Sequence, residues 1–272
     1  MKHLFAAMGL LVAIGIPAAC FAQDSATARH DVFSATLNYQ SRVDYFGRTD
    51  SLKSSILFPS LEFESRTGLY AQGNVIFLNN SQQTMEYAGT LLQAGYRFPE
   101  SKHFSGNLYY NQILYRSDVD LLESAVKEQP GVNLTYKTKV VNLTLGADLK
   151  FSNRTDVGAT GGLDHLWIIR LNSPKTALGI DPTANIYLGT QNFTESILEQ
   201  KDLLGIPLGN TMLSHQVQQF SVLSYAFTMP VVFVKGKFNA SLTPSYVLPQ
   251  NLIEGETGYD MFYVSAAVGV RL

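Results

Sequence analysis

Amide, hydroxyl and carboxyl side chains recur at every second position along several stretches of this sequence. In one stretch, Asn142, Thr144, Asp148 and Lys150 alternate with leucine, alanine and phenylalanine as far as Phe151. Amides and hydroxyls exchange hydrogen bonds with polar solutes, and a few charges set a local field, so a wall of such groups suits a diffusion channel. Because successive side chains of a strand point to opposite faces, the alternation predicts strands with one polar and one apolar face.

The composition narrows the class of protein. The chain has 272 residues, of which 46% are hydrophobic, 11% aromatic and 15% charged, and its formal net charge is -2. This low charged fraction and the many Gly, Tyr, Asn, Ser and Thr residues argue against a disordered chain, a coiled coil or a nucleic-acid-binding surface. We therefore expect no nucleic-acid partner.

Residues 1–22 have the pattern of a secretory signal peptide. Lys2 precedes an apolar stretch that is broken by Pro17 and ends in small residues at Cys20 and Ala22, so we predict cleavage after Ala22 and a single mature domain over 23–272. An uncleaved anchor or a lipidated Cys20 is the alternative. Cleavage at Ala22 removes the only cysteine, and an exported chain without disulfides fits a bacterial envelope protein. No later segment offers about 18 consecutive apolar residues, so membrane entry requires a closed barrel.

Turn residues divide the mature chain into about twelve predicted strands. They lie near Val32–Tyr45, Ser54–Glu64, Leu69–Leu78, Glu86–Phe98, Phe104–Arg116, Val132–Lys137, Val140–Phe151, Gly158–Leu171, Leu178–Gly189, Gln216–Met229, Lys235–Leu248 and Gly258–Leu272. Short connections, one of them at Pro230, alternate with mostly longer ones, which fits periplasmic turns on one side and extracellular loops on the other. The predicted fold class is all-β: a closed antiparallel transmembrane β-barrel of about twelve strands with up-and-down topology.

The terminal strand, Met261-Phe-Tyr-Val-Ser-Ala-Ala-Val-Gly-Val-Arg-Leu272, resembles the final strand of Gram-negative outer-membrane β-barrel proteins of the porin-like class. The resemblance implies an outer-membrane location, closure of the last strand against the first, and recognition of that strand by the outer-membrane assembly machinery. Ending in Leu272 departs from the commoner terminal Phe. Outer-membrane lipid is then a second partner, and six aromatic residues near strand ends are candidates for the interfacial girdles: Tyr39, Tyr45, Tyr136, Trp167, Tyr225 and Tyr246.

In such a barrel the polar row faces the lumen. The pore-lining candidates are Asn38, Gln40, Arg42, Asp44, Glu62, Glu64, Gln72, Asn74, Asp148, Lys150, Asp164, Arg170, Lys237 and Asn239. A barrel of about twelve strands lies between the filled bore of eight strands and the open bore of sixteen, so these groups either line a pore or bridge one another and fill it. The sequence leaves both arrangements open.

Sequence signatures of soluble enzymes are missing, since the chain has no Gly-x-Ser-x-Gly elbow, His-Glu-x-x-His helix, Walker loop or cysteine metal site. A barrel hydrolase remains an alternative, with Ser214-His215 or Asp164-His165 as its only suggestive pairs. Adjacent strand residues point to opposite faces, so neither pair can act together within one strand. We expect a non-enzyme with no catalytic residue, cofactor or metal.

Two long connections have helical patterns, one starting at Ser117 and stopped by Pro130-Gly131, the other over Thr194 to Gly205. We expect Thr190 to Ser214 to pack on or into the extracellular opening, a mobile surface loop being the alternative. The sequence thus predicts a passive channel for small polar solutes, with a non-conducting structural or partner-binding barrel as the next hypothesis. The solute, the ion selectivity and the oligomeric state are left open.

Overall fold

The computed structural model of the protein describes residues 30–48, 52–82, 84–116, 126–171, 175–192, 220–252 and 258–272. The predicted signal peptide, most of Thr190 to Ser214, the second predicted helix and residues 117–125 of the first predicted helix lie outside the described residues. The strands are β1 (Val32–Gln40), β2 (Ser55–Glu64), β3 (Leu69–Asn79), β4 (Glu86–Arg97), β5 (Phe104–Tyr115), β6 (Glu128–Tyr136), β7 (Asn142–Phe151), β8 (Thr155–Asp164), β9 (Trp167–Arg170), β10 (Thr176–Ile180), β11 (Thr183–Gly189), β12 (Ser221–Thr228), β13 (Val231–Lys235), β14 (Phe238–Pro249) and β15 (Met261–Arg271).

These segments form one closed antiparallel barrel of twelve strands. β8 and β9 are two parts of one long strand, as are β10 and β11, and β12 and β13, because each pair of parts bonds to the same neighbouring strands. The ring closes where β1 pairs with β15, from Ser34 opposite Arg271 to Gln40 opposite Ser265. The predicted fold class and closure of the last strand against the first are confirmed.

The three interrupted strands are neighbours, and their breaks lie side by side at residues 165–166, 181–182 and 229–230. Pro182 and Pro230 occupy two of these breaks, because proline has no N–H to give to the ladder. Backbone bonds still cross them: Asp181 donates to the Pro230 carbonyl at 3.0 Å, and Met229 donates to the Pro244 carbonyl at 3.1 Å. The barrel wall is therefore continuous through this band.

Two of the differences from the predicted strand boundaries involve proline. The turn expected at Pro230 was wrong: the chain continues through β13 and turns at Gly236, whose φ of +60° suits glycine. β6 begins at Glu128 and includes Pro130 and Gly131, which were expected to stop a helix. The pairing of β6 with β7 lapses at Pro130, where an N–H is lacking, and resumes at Gly131.

The outer surface of the cylinder is apolar. Large exposed side chains occur around the ring, among them Leu37, Leu61, Leu92, Leu108, Leu134, Leu145, Leu163, Phe227, Leu242 and Val268. Five of the six girdle candidates, Tyr39, Tyr136, Trp167, Tyr225 and Tyr246, are 38 to 52% exposed. The sixth, Tyr45, is buried inside the barrel, so its assignment to a girdle was wrong.

A closed ladder satisfies the backbone groups of every strand within the protein, and the apolar exterior matches lipid, as in a membrane-spanning β-barrel. Within the part of the chain that the structure describes, no helix has the length and apolar character needed to span a membrane.

Two adjacent residues of β7 test which face meets lipid. Leu145 is 56% exposed on the exterior, whereas Thr144 faces inward and bonds to Thr135 at 3.0 Å. We expect Leu145→Lys to lower the free energy of unfolding by about 2–4 kcal/mol, since a lysine then faces hydrocarbon. Thr144→Lys, the matched control, should cost far less. The measurement is guanidinium unfolding in lipid vesicles, and equal costs would contradict the assignment of faces.

Candidate functional site

Amides and hydroxyls join the lumen faces of the first strands. Asn38 on β1 donates to the Ser60 hydroxyl on β2 at 2.9 Å, and that hydroxyl donates to the Asn74 side chain on β3 at 2.6 Å. Gln72 donates to the same Asn74 oxygen at 2.9 Å. The alternation that placed these residues on one face also sets them side by side across the ladder, so their side chains bond laterally along the wall.

An ion cluster lies nearer the end of the barrel that carries the short turns. Arg97 on β4 donates to Glu62 on β2 at 2.8 Å and also bonds to Glu64. Its guanidinium lies 4.3 Å from the centre of the Tyr70 ring, and the Tyr70 hydroxyl accepts from Asn107 at 3.2 Å. The two carboxylates offset the cation, so this part of the wall presents a compact paired cluster.

The opposite wall carries a second paired group. Lys150 lies 2.5 Å from Asp148 on the lumen face of β7, and Gln129 on β6 donates to Asp148 at 3.1 Å. Towards the short-turn end, Asn142 donates to Asp164 on β8 at 2.7 Å. Polar groups on both walls are therefore tied to neighbours on adjacent strands.

Glycines on the lumen face let these side chains lie flat. Several inward residues stand directly opposite a glycine of the next strand, in the pairs Tyr70–Gly95, Tyr109–Gly131, Asn133–Gly146, Asp148–Gly158, Asn185–Gly162 and Asn239–Gly269. A Cβ at Gly95 would lie 2.6 Å from the Tyr70 ring, and one at Gly146 would lie 2.6 Å from the Asn133 side chain. Each of these inward side chains therefore occupies the space above a glycine and lies against the wall.

At the other end of the barrel, the chain itself enters the lumen. Residues Ser41–Arg48, which we name the inward loop, follow β1 and turn inside instead of continuing the strand to Tyr45. The Ser41 amide donates to the Val264 carbonyl at 2.9 Å, and the Val43 amide donates to the Ser54 carbonyl at 2.7 Å. Val43, Tyr45 and Arg48 are all buried.

The tip of the inward loop is a tight two-residue hairpin. The Tyr45 amide donates to the Arg48 carbonyl at 2.9 Å, and the Arg48 amide donates to the Tyr45 carbonyl at 3.0 Å. Phe46 has φ +54° and Gly47 has φ +78°, the positive values that a type I′ turn requires at both central residues. Positive φ is sparsely populated for an aromatic residue, so the turn is strained at Phe46.

Phe46 reaches the far wall. Its ring centre lies 5.2 Å from that of Tyr187 on β11 and 5.5 Å from the Lys150 ammonium on β7. β7 is six places from β1 in the twelve-stranded ring, so the inward loop crosses the full diameter of the lumen. These contacts place the tip of the inward loop against the wall opposite β1.

Arg48 fastens the inward loop to three other parts of the chain. It is 1% exposed and donates to the Gln191 side chain at 2.5 Å and to the Leu223 carbonyl at 3.3 Å. Gln191 in turn donates to the Asn251 carbonyl at 3.0 Å, and the backbone of Arg48 pairs with Gly258. A buried guanidinium needs such acceptors, because an unpaired buried charge is costly.

Asp44 is held inside the same loop. Its carboxylate accepts from the Gly47 amide at 2.7 Å and is hydrogen-bonded by the Tyr263 hydroxyl on β15. Burial raises the pKa of Asp44 to about 6, although the Gly47 amide, the Tyr263 hydroxyl and the nearby Arg48 cation each oppose the rise. Desolvation is therefore the dominant influence on this carboxylate.

Apolar side chains pack below the inward loop on the β2–β5 side, a feature that the sequence analysis missed. Val43 belongs to a buried cluster of seven residues: Val43, Ile56, Phe58, Ile76, Leu78, Leu91 and Ile113. A signal was present, since Ile56 and Phe58 continue the alternating row of Ser60 and Glu62 and must share its face. The lumen row therefore changes from polar to apolar where the inward loop packs.

The structure places twelve of the fourteen pore-lining candidates against the lumen. Asn38, Gln40, Glu62, Glu64, Gln72, Asn74, Asp148, Lys150, Asp164 and Asn239 lie on the inner face of strands. Arg42 and Asp44 lie in the inward loop and not in a strand. Arg170 and Lys237 are exposed at the short-turn end, where Arg170 ends β9 at the rim and Lys237 belongs to the turn at Gly236.

Of the two pairs considered for a hydrolase, Ser214-His215 lies outside the described residues. Asp164 faces the lumen and accepts from Asn142, while the His165 ring packs edge-on to exterior Trp167 at 5.1 Å. Asp164 and His165 thus point to opposite faces. Among the described residues, no group of three or more His, Cys, Asp or Glu side chains is arranged to hold a metal ion.

Comparisons with known proteins found no matching family model and no matching curated protein. Solved structures with a similar fold include the KdgM porin, with 9% identity, a TM-score of 0.49, and coverage of 87% of this chain and 98% of that one. The NanC porin has 9% identity and a TM-score of 0.48, over 88% of this chain and 100% of that one. LpxR from Salmonella typhimurium has 9% identity and a TM-score of 0.45, over 87% and 99%.

The glycine pairs make a stability prediction. Gly95→Ala places a Cβ against the Tyr70 ring and the Leu108 carbonyl, whereas a Cβ at outward Gly73 meets Leu92 at an ordinary 3.8 Å. We expect Gly95→Ala to lower the free energy of unfolding by about 1–3 kcal/mol through overpacking. Gly73→Ala, its control on β3, should change it little. Urea unfolding in detergent micelles measures both, and equal stabilities would show that the inward side chains do not depend on the glycines.

Proposed function

We propose that this outer-membrane barrel is a passive channel for small polar solutes, with the inward loop as its constriction. The observation that carries the proposal is the polar lumen wall of the short-turn half, whose side chains lie over glycines of the next strand. A wall built this way supplies hydrogen-bonding groups along a path and keeps the centre of that path clear.

The exposure of the wall supports this function. Thr144, Asp164 and Asn185 are partly exposed although they face inward, whereas Asn38 and Asn74, nearer the inward loop, are buried. Water therefore reaches the lumen wall from the short-turn end up to the level where the loop crosses. Such a vestibule admits polar solutes and gives them exchangeable hydrogen-bond partners.

Because the charges of the lumen wall are paired, they favour a channel for small polar solutes in general over a channel for strongly charged solutes. Arg97 is offset by Glu62 and Glu64, and Lys150 by Asp148. Paired ions give short-range fields that fade within a Debye length of about 8 Å at physiological ionic strength. The partners expected from the sequence, outer-membrane lipid and the assembly machinery that would read Met261 to Leu272, remain part of this proposal.

A non-conducting barrel is the second candidate, and one observation favours it. The inward loop spans the lumen, and Val43, Tyr45 and Arg48 within it are buried as deeply as a protein core. If the loop fills the bore in this position and never leaves it, the barrel does not conduct and serves a structural or partner-binding role through its loops.

Removing the contacts with the far wall separates the two candidates. The variant Phe46→Ala with Arg48→Ala lacks the ring against Tyr187 and the guanidinium that binds Gln191 and Leu223. We expect its conductance in planar bilayers to exceed that of the wild type several-fold, and liposomes carrying it to admit larger neutral sugars. Asp260→Ala, an exposed change in the β14–β15 connection, is the control. Absence of conductance in both the wild type and the double variant would refute the channel and support the non-conducting barrel.

A further inference from the structure

We propose that the inward loop is a gate that is closed in acid and released when Asp44 ionises. This inference rests on the proposed channel function and adds its regulation. It requires an element with two positions, contacts that hold one position, and a group whose charge biases the balance. Each of these is present in Ser41–Arg48.

The hairpin tip supplies an element that gains backbone freedom by moving. Phe46 has a positive φ, and its ring packs against Tyr187, Tyr45 and Lys150. A strained residue persists where surrounding contacts over-determine it, and it relaxes when they are lost. The loop is thus folded inward against its own backbone preference, and the far wall holds it there.

The holding contacts come from several separate segments. Arg48 binds Gln191 after β11 and Leu223 on β12, and its backbone pairs with Gly258 before β15. Arg42 donates to the Tyr259 hydroxyl at 3.1 Å. These partners lie on the barrel wall and in the connections next to β11 and β15. The inward position of the loop therefore depends on several segments at that end of the barrel.

Asp44 is the biasing group, and its charged and titratable surroundings can be stated for each packed element. Arg48 lies on its own loop, Tyr263 faces it from β15 and Tyr187 from β11. Lys150 on β7 is turned to Phe46 and paired with Asp148. Among the described residues, Arg48 is therefore the only cation that acts on the pKa of Asp44, and its guanidinium also binds Gln191 and Leu223.

The sign of the pH dependence follows from burial. In the inward position the pKa of Asp44 is raised from 3.8 to about 6, and in a solvated loop we take it to return to the ordinary value. The inward loop therefore binds the proton more tightly, so acid favours closure, fully below about pH 4, and the preference is lost as pH rises through about 6. A difference of about two pKa units corresponds to about a 100-fold change in the open-to-closed ratio.

Single-channel recording across pH 4 to 8 tests the gate. For the wild type we expect the ratio of open to closed time to rise by about 50-fold between pH 4 and pH 7. Asp44→Asn keeps an acceptor for the Gly47 amide without a titratable group, so its ratio should stay flat and resemble that of the acid form. Asp260→Asn, a matched loss of one exposed carboxylate at the same end, should behave as the wild type. A pH response that survives in Asp44→Asn, or none in the wild type, would overturn the proposal.

A reversible cross-link tests the gate independently of titration. Arg48 and Gly258 are antiparallel bridge partners, a geometry whose Cα separation of about 4.5–5.5 Å suits a disulfide. The mature chain expected from the sequence has no cysteine, so Arg48→Cys with Gly258→Cys introduces a single pair. Oxidation should abolish conductance and dithiothreitol should restore it, while each single cysteine variant is insensitive to both. Equal conductance in the oxidised and reduced forms would overturn the gate.

The two proposals fail differently. Three proteins decide between the failures: the wild type, the reduced double-cysteine variant, and the variant Phe46→Ala with Arg48→Ala. If none of them conducts at any pH, then the channel function itself is wrong. If they conduct but respond neither to pH nor to the cross-link, then the channel stands and the inward loop is a fixed constriction.

Discussion

Backbone hydrogen bonding in lipid is the constraint on which the rest of this structure depends. Hydrocarbon offers no partner to an unpaired N–H or C=O, so a sheet can cross it only as a closed ring. The pairing of β1 with β15 provides that closure. Where three neighbouring strands are interrupted, two of them at proline, the remaining groups still find partners, as between Asp181 and Pro230. Closure then divides every strand into a row that meets lipid and a row that meets the lumen.

A ring of twelve strands encloses more space than inward side chains fill without help. The two halves of this barrel occupy that space in different ways. In the short-turn half, inward side chains lie over glycines, as Tyr70 does over Gly95. In the other half, the chain folds in and packs Val43 on an apolar patch that includes Ile56 and Phe58. The same barrel therefore has one half lined by polar side chains and another half that the inward loop occupies.

The inward loop combines interactions that oppose one another. Packing of Phe46 and the bonds of Arg48 hold the loop inward, while the backbone of Phe46 and the desolvated carboxylate of Asp44 resist that position. A balance of this kind is easily shifted, because a few kcal/mol separates two arrangements of one segment. The proposed transport function and its proposed regulation thus depend on one short stretch of chain.

The sequence by itself determined the closed barrel, its strand number and the face of most residues, because alternation with a period of two is written residue by residue. Glu62 and Asp148 faced inward as their rows required. It did not determine where β1 stops: Val43 and Tyr45 keep the alternation of a strand, yet they leave the sheet. That outcome depends on Tyr187, Gln191 and Leu223, more than 140 positions away, whose nearness exists only once the ring has closed. Local periodicity predicts which face of the sheet a residue occupies, and only the tertiary structure determines which residues it contacts on the opposite wall.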